Sequence, residues 1–291
     1  MITKTKVLII KLGYSETLDP IISKECSLGD VVRTTVLLNY FRDGDSITWL
    51  CDEKAEPLLK NNPYIARVLV WNFETMIQVL GETFDTVINL EKTPAICAFS
   101  DKITAWQKYG FRFSTWHGIA EAYINTEKVL EISQFPLKRE QNKKFWQEHL
   151  AKVIHKHWHL KDKYKMPERS GEIKYDIGLN YKVGKKWPEK AWPMERWQAL
   201  QVQRGFKVSL QPDLTLEDYM DWIWSCRTLI TCDSLGMHLA LAYGRNVVAL
   251  FGPTRSDEVY FYDKGVAIQA ENGQMESISV EQVLKVLEEI L

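Results

Sequence analysis

Three residues whose types can meet an anion, Ser234, Gly236 and His238, fall close together just after Asp233. They stand where a strand-like run, ending in Thr231 and Cys232, gives way to the helical spacing of 234–243. Asp233 or Ser234 can cap that helix, and Gly244 stands where a glycine commonly ends one. The first turn of a helix carries free N–H groups and the positive end of its dipole, so it attracts phosphate. Gly236 would let backbone approach such a group, and His238, one turn in, could donate to it. The same residues also suit plain helix capping, and residue types alone leave both readings open.

The longer segment 231–254, TCDSLGMHLALAYGRNVVALFGPT, resembles the signature of glycosyltransferase family 9, the ADP-heptose:lipopolysaccharide heptosyltransferase-like enzymes. In that family the segment runs roughly T-x-D-S-G-x-x-H-L-A-A-A-x-G-x-P-x-V-A-L-F-G-P-T. Here Leu235 and Gly236 stand for the usual Gly-x. The resemblance implies that Asp233 holds donor sugar hydroxyls and that the turn Ser234, Leu235, Gly236 meets the donor diphosphate through its amides. It further implies that His238 lies beside the phosphates and that Gly252, Pro253 and Thr254 close the pocket.

The family places a phosphate-binding lysine in a K-x-W-P segment, and this chain has two copies, beginning at Lys185 and at Lys190. The second runs directly into the helical pattern 194–204, with Pro193 near the first turn, where proline is favoured. Lys190 is therefore the expected diphosphate ligand, offsetting charge on the leaving group. Lys186 is expected to line the pocket, while Lys182 and Lys185 read as solvated loop charges. Upstream, 27–38 (SLGDVVRTTVLL) resembles the family's N-terminal motif, which implies Asp30 as general base and Gly29 in its pocket. An aspartate in a first helical turn also simply favours the dipole, and its pKa is usually lowered there. One departure is an insertion at 14–26, YSETLDPIISKEC, on the acceptor side and a candidate lid.

These residues require a scaffold of strands feeding helices. Apolar runs at 6–12, 47–51, 67–70 and 86–90 alternate with helical patterns at 28–40 and 53–60. Strands apolar on both faces, alternating with helices, predict a parallel sheet covered on both sides. The stretch 138–165 breaks this rhythm with nine Lys or Arg against three acidic residues. It contains an amphipathic helix marked by Phe145, Trp146, Leu150 and Val153. Residues 166–171 read as a linker, after which strands at 175–180, 228–232 and 246–251 alternate with helices at 194–204, 216–226, 234–243 and 280–291. The fold class is α/β: two Rossmann-like domains, 1–170 on the acceptor side and 171–291 binding the nucleotide sugar. The resemblance makes this GT-B, with parallel sheets facing a central cleft.

The formal net charge of −1 gives no reason to expect nucleic acid as a partner. Five cysteines with no CxxC pair suit free thiols in a reducing cytosol. No apolar run is long enough to span a membrane. His155, His157 and His159 alternate, but residues at i and i+2 point apart on a helix, so no metal site is expected. Nicotinamide chemistry is disfavoured because no G-x-G-x-x-G follows 6–12. The resemblance implies an inverting, metal-independent transferase without a cofactor, moving heptose from ADP-heptose to a lipopolysaccharide core or related glycan. Its partners would be a nucleotide-sugar donor and a glycolipid or glycan acceptor, in the cytoplasm and in peripheral contact with the inner membrane. The rival expectations are a non-catalytic sugar-nucleotide-binding protein and a GT-B-like epimerase.

Overall fold

In the computed structural model, residues 4–14, 24–202 and 205–290 are described. The chain forms two compact units, Met1–Pro167 and Glu168–Leu291. The first contains strands β1 (Lys6–Ile10), β2 (Ser46–Cys51), β3 (Arg67–Val70), β4 (Thr83–Asn89), β5 (Thr104–Phe113) and β6 (Ala120–Ala122). Its helices are α1 (Leu28–Thr34), α2 (Glu56–Leu59), α3 (Phe73–Leu80), α4 (Pro94–Lys102), α5 (Glu127–Gln134), α6 (Pro136–Glu140) and α7 (Trp146–Val153). The sheet order is β3-β2-β1-β4-β5-β6, parallel except for β6. Val7, Leu8, Ile9 and Ile10 are fully buried because β1 is central and covered on both faces. Each such side chain contributes roughly 2 kcal/mol of burial.

The second unit has strands β7 (Tyr175–Asn180), β8 (Val208–Leu210), β9 (Cys226–Cys232), β10 (Asn246–Phe251) and β11 (Gly265–Gln269). They are parallel throughout, in the order β11-β10-β9-β7-β8. Helices α8 (Met194–Gln201), α9 (Leu216–Trp224), α10 (Leu235–Ala242) and α11 (Val280–Ile290) complete it. Trp192 and Trp197 meet edge to face at 5.0 Å inside its core, which accounts for two of the tryptophans by packing.

Several elements differ from the sequence reading. The helix expected at 28–40 is α1 followed by a 3-10 segment, Thr35–Tyr40. Thr34 and Thr35 turn their hydroxyls onto the carbonyls of Asp30 and Val32, both at 2.6 Å, and such back-bonding bends a helix. The helix at 53–60 is a 3-10 turn, Glu53–Ala55, leading into α2, whose first turn holds Pro57. Within the expected linker, Met166 and Pro167 are buried. Lys165 N donates to Thr35 Oγ1 at 3.0 Å, fastening the end of the first unit to its own helix layer. Most of the 14–26 insertion, 15–23, lies outside the described residues.

Each sheet has one place where successive connections leave in opposite directions, and ligands bind there in open α/β sheets. In the first unit it lies between β1 and β4, and in the second between β7 and β9. The loops after those four strands carry the residues considered next.

Candidate functional site

In the second unit, the loop after β7 brings Lys190 to the turn after β9. Lys190 Nζ lies 2.7 Å from Asp233 Oδ2, and Thr254 Oγ1 donates to the same oxygen at 2.7 Å. Burial alone would raise the Asp233 pKa. Lys190, then His238, together with the hydrogen bonds from Lys190 and Thr254, override it and bring the carboxyl down to about 2. Lys190 also sits over the Trp187 ring, 5.7 Å from its centre. Lys182 turns away to pair with Asp213, and Lys185 is exposed. Of these three lysines, Lys190 is the one paired with Asp233. Lys186 is half-buried beside it in sequence.

Ser234 occupies the N-cap of α10 with extended backbone, φ −147° and ψ −179°, yet makes no side-chain cap. Its hydroxyl is held elsewhere. Asn180 Nδ2, at the carboxyl end of β7, donates to Ser234 Oγ at 3.0 Å and to Thr231 Oγ1 at 2.8 Å. Tyr219 donates to Asn180 Oδ1 at 2.6 Å, which fixes the orientation of the amide. The α10 amides therefore start without a side-chain cap, as an anion site requires. Leu235 opens α10 half-buried, and His238 is buried on its first turn. Gly244, at φ +68°, ends the helix as expected.

Gly236 also has a packing reason to be glycine. A Cβ there would lie 2.5 Å from Asn180 Nδ2 and 2.7 Å from Tyr219 OH, so the glycine admits this polar pair against the helix. Gly252 likewise packs on Met275, and from that loop it is Thr254 that reaches Asp233. Asn180, Tyr219 and Thr231 escaped the sequence reading. The available signal was a polar residue, Asn180, ending an otherwise apolar strand.

In the first unit, Asp30 lies in α1 and is 93% buried. Arg33, one turn on, pairs with its Oδ1, while its Oδ2 is buried with no hydrogen-bond partner. Gly29 precedes it, half-buried. The same pocket is lined by Lys11 after β1, Lys92 after β4, Arg139 of α6 and Trp146 of α7. Glu91, fully buried, holds the loop after β1. Its Oε1 accepts from Leu12 N at 2.8 Å and Gly13 N at 2.9 Å, its Oε2 from Tyr14 N at 3.1 Å, and Lys11 Nζ lies at 3.3 Å. The strand pairing of β1 therefore stops short of 12: Lys11 N still reaches Leu50 O at 3.1 Å, and the amides beyond it turn to Glu91. Gly13, at φ +87°, then accepts from Ser27 N at 2.7 Å, so both ends of the insertion are tied together just before Asp30. Neither Glu91 nor Lys11 stood out in sequence.

Among the described residues no group of three or more His, Cys, Asp or Glu could hold a metal. The described cysteines are free. No described helix is long and apolar enough to cross a membrane.

The profile of glycosyltransferase family 9 (heptosyltransferase) matches residues 75–286, most of the chain. A comparison with curated protein sequences gave no match. Among solved structures, E. coli ADP-heptose lps heptosyltransferase II aligns with a TM-score of 0.71 at 15% identity, over 98% of this chain and 98% of that one. E. coli heptosyltransferase WaaC with ADP aligns at 0.68 and 14% identity, over 98% and 100%. The family 9 glycosyltransferase of Veillonella parvula DSM 2008 aligns at 0.66 and 19%, over 98% and 97%. At these identities the structures speak for the fold, a GT-B-like pair of predominantly parallel sheets, and the profile speaks for the family. The chain belongs to glycosyltransferase family 9 and is a glycosyltransferase.

Proposed function

We propose that the chain transfers heptose, with inversion, from ADP-heptose to a hydroxyl of a lipopolysaccharide-core or related glycan acceptor. The observation that carries the donor half of this reading is the uncapped start of α10 beside the Lys190–Asp233–Thr254 group. The amides of the Ser234, Leu235, Gly236 turn, together with Lys190 and His238, bind the diphosphate. Asp233 holds donor sugar hydroxyls, and Lys186, Gly252, Pro253 and Thr254 shape the surrounding wall. The second unit is thus the nucleotide-sugar domain and the first the acceptor domain. Similar proteins support the donor: WaaC is known with ADP and with ADP-2-deoxy-2-fluoro heptose.

In the transfer, the acceptor hydroxyl oxygen forms a bond to the anomeric carbon as the bond from that carbon to the diphosphate oxygen breaks. The hydroxyl proton passes to Asp30 Oδ2, whose buried, unpartnered state suits it to receive one. The electron pair leaves with the nucleoside diphosphate. Lys190 and the α10 amides stabilise the charge that builds there, so the residues in place supply the role a divalent cation would otherwise fill. The acceptor domain works at the cytoplasmic face of the inner membrane, touching it peripherally through the basic segment 138–165.

A thermal-shift and turnover screen of ADP-, GDP- and UDP-sugars tests the donor. ADP-heptose should stabilise the protein and be consumed. If it does neither while another nucleotide sugar does both, the donor assignment is wrong.

A further inference from the structure

The transfer scheme leaves Arg33 and the cations around it without a task. Arg33 pairs with Asp30 Oδ1 while its guanidinium carbon lies 4.6 Å from the centre of the Trp146 ring. It is therefore clamped between a carboxylate and an aromatic face, with 16% of its side chain exposed. A guanidinium stacks on an aromatic ring and still presents several N–H donors in its plane, so it can serve two anions at once. The pocket around it is positive. Lys11, Arg33, Lys92 and Arg139 line it from four elements against the single lining carboxylate Asp30, with Glu91 behind Lys11. Lys92 is aimed by a 2.7 Å hydrogen bond to Ser133 Oγ and lies over Phe111, so it too is held in place.

A carboxylate paired with a guanidinium is a poor proton acceptor, because the pair stabilises the charged form. A base needs that pairing relaxed when the hydroxyl arrives. An anion beside the hydroxyl would do so by drawing Arg33 partly onto itself. From this geometry we infer that Arg33 is a positioning residue shared between Asp30 and an anionic group, phosphate or carboxylate, that the acceptor carries next to its reacting hydroxyl. Arg33 fixes Asp30 through Oδ1, leaves Oδ2 for the hydroxyl, and makes Asp30 more basic once the acceptor anion is in place. Trp146 keeps the guanidinium in the pocket throughout. This rests on Asp30 being the base, and its test needs no turnover.

Sulfate, a tetrahedral dianion across the working pH range, and acetate serve as probes, with sodium chloride at matched ionic strength as control. Protein labelled with 5-fluorotryptophan, its Trp146 signal assigned by Trp146→Phe, should show a saturable shift with sulfate or acetate and none with chloride. Whichever probe acts identifies phosphate-like or carboxylate-like recognition. In parallel, the Asp30 side-chain carbon is titrated by 13C NMR. Its midpoint should rise by about one pH unit with the active probe bound, and by a similar amount in Arg33→Met without it. Arg33→Lys should bring the midpoint back toward that of the unaltered protein, since a cation is back, while binding the probe more weakly. The charged groups that share the pocket with Asp30 in these titrations are Lys11, Arg33, Lys92 and Arg139, with Glu91 against Lys11. No saturable Trp146 shift with either probe, or an Asp30 midpoint unmoved by Arg33→Met, overturns the proposal. Should these results hold while Asp30→Asn leaves transfer intact, the shared arginine stands and the assignment of Asp30 as base fails.

Discussion

Asp233 and Asp30 are both enclosed aspartates, each paired with one cation, one in each unit, yet they are finished differently. Asp233 Oδ2 receives both Lys190 and Thr254, and the carboxyl is held down to about 2. Asp30 spends one oxygen on Arg33 and keeps the other buried with no hydrogen-bond partner. A carboxylate satisfied from two sides is an anchor, hard to protonate and good at fixing its neighbours. One with a buried oxygen left over is ready for a donor, because satisfying that oxygen recovers a desolvation cost already incurred on folding. The second unit's site is complete within itself, and on the proposed reading the first unit's is completed by the acceptor it binds.

The largest effect should come from the unfinished carboxylate. Asp30→Asn keeps the shape but cannot take a proton, and transfer should fall by roughly 10²- to 10⁴-fold. Affinity for ADP, measured by calorimetry, should hold within about twofold, because Asp30 belongs to the other unit's site. A matching loss of ADP affinity would erase the division of labour between the two aspartates.

The anchored carboxylate should respond through stability. Lys190→Met leaves Asp233 enclosed without its cation and should cost about 3 kcal/mol in chemical denaturation. Lys190→Met combined with Asp233→Asn should recover much of that. Asp233 in the folded state titrates near 2, below its ordinary 3.8. Its contribution, roughly 2 kcal/mol, is therefore full above about pH 4 and lost as pH falls through that window. Asp233→Asn should flatten the stability–pH curve between pH 4 and 2. An unchanged curve would mean the pair does not anchor the turn.

How much of this was legible in sequence divides along the same line. The α10 turn could be read because its residues are contiguous, and a helix start announces itself through local types. The alternation of strands and helices was equally visible, since an apolar run such as 7–10 suits a doubly covered strand and little else. Asp30 was reached only through the family resemblance, and the rest of its pocket could not be read. Lys11, Asp30, Glu91, Lys92, Arg139 and Trp146 come from five separated segments: the pairing of β1 with β4 joins Lys11 to Glu91 and Lys92, and helix packing adds the others. Short-range pattern also failed at 28–40, where two threonine hydroxyls convert a helical stretch to 3-10. Gly236 was found, but its packing reason was not. A glycine's neighbour across a tertiary contact, here Asn180 with Tyr219, leaves no trace beside it in the chain.

That contact makes a finer test of the donor half. Gly236→Ala sets a methyl 2.5 Å from Asn180 Nδ2, and neither Asn180 nor Tyr219 can withdraw without dropping Ser234. Destabilisation of about 1–3 kcal/mol should follow, as for other over-packed sites. Donor KM should rise by several-fold, with kcat less affected, because the freed Ser234 hydroxyl can then cap α10 and compete with the diphosphate.

The smallest effect should separate the two K-x-W-P copies. Both begin with a lysine followed two residues later by tryptophan and proline, and nothing in the words themselves ranks them. Position does. The second copy ends at Pro193, immediately before α8, and its Trp192 is buried with Nε1 donating to Ile278 O at 3.0 Å. That buried indole pins the copy to the core, so Lys190 inherits a fixed place opposite Asp233. The first copy has Lys185 exposed and Trp187 only half-buried. Lys185→Ala should therefore change donor KM by less than about twofold, the usual size for a solvated charge near but not in a site. Lys190→Ala should raise it at least about tenfold, the scale of one lost charge-assisted contact to phosphate. Equal effects in the two variants would mean that both copies reach the donor, and that the ion pair with Asp233 does not single out its ligand.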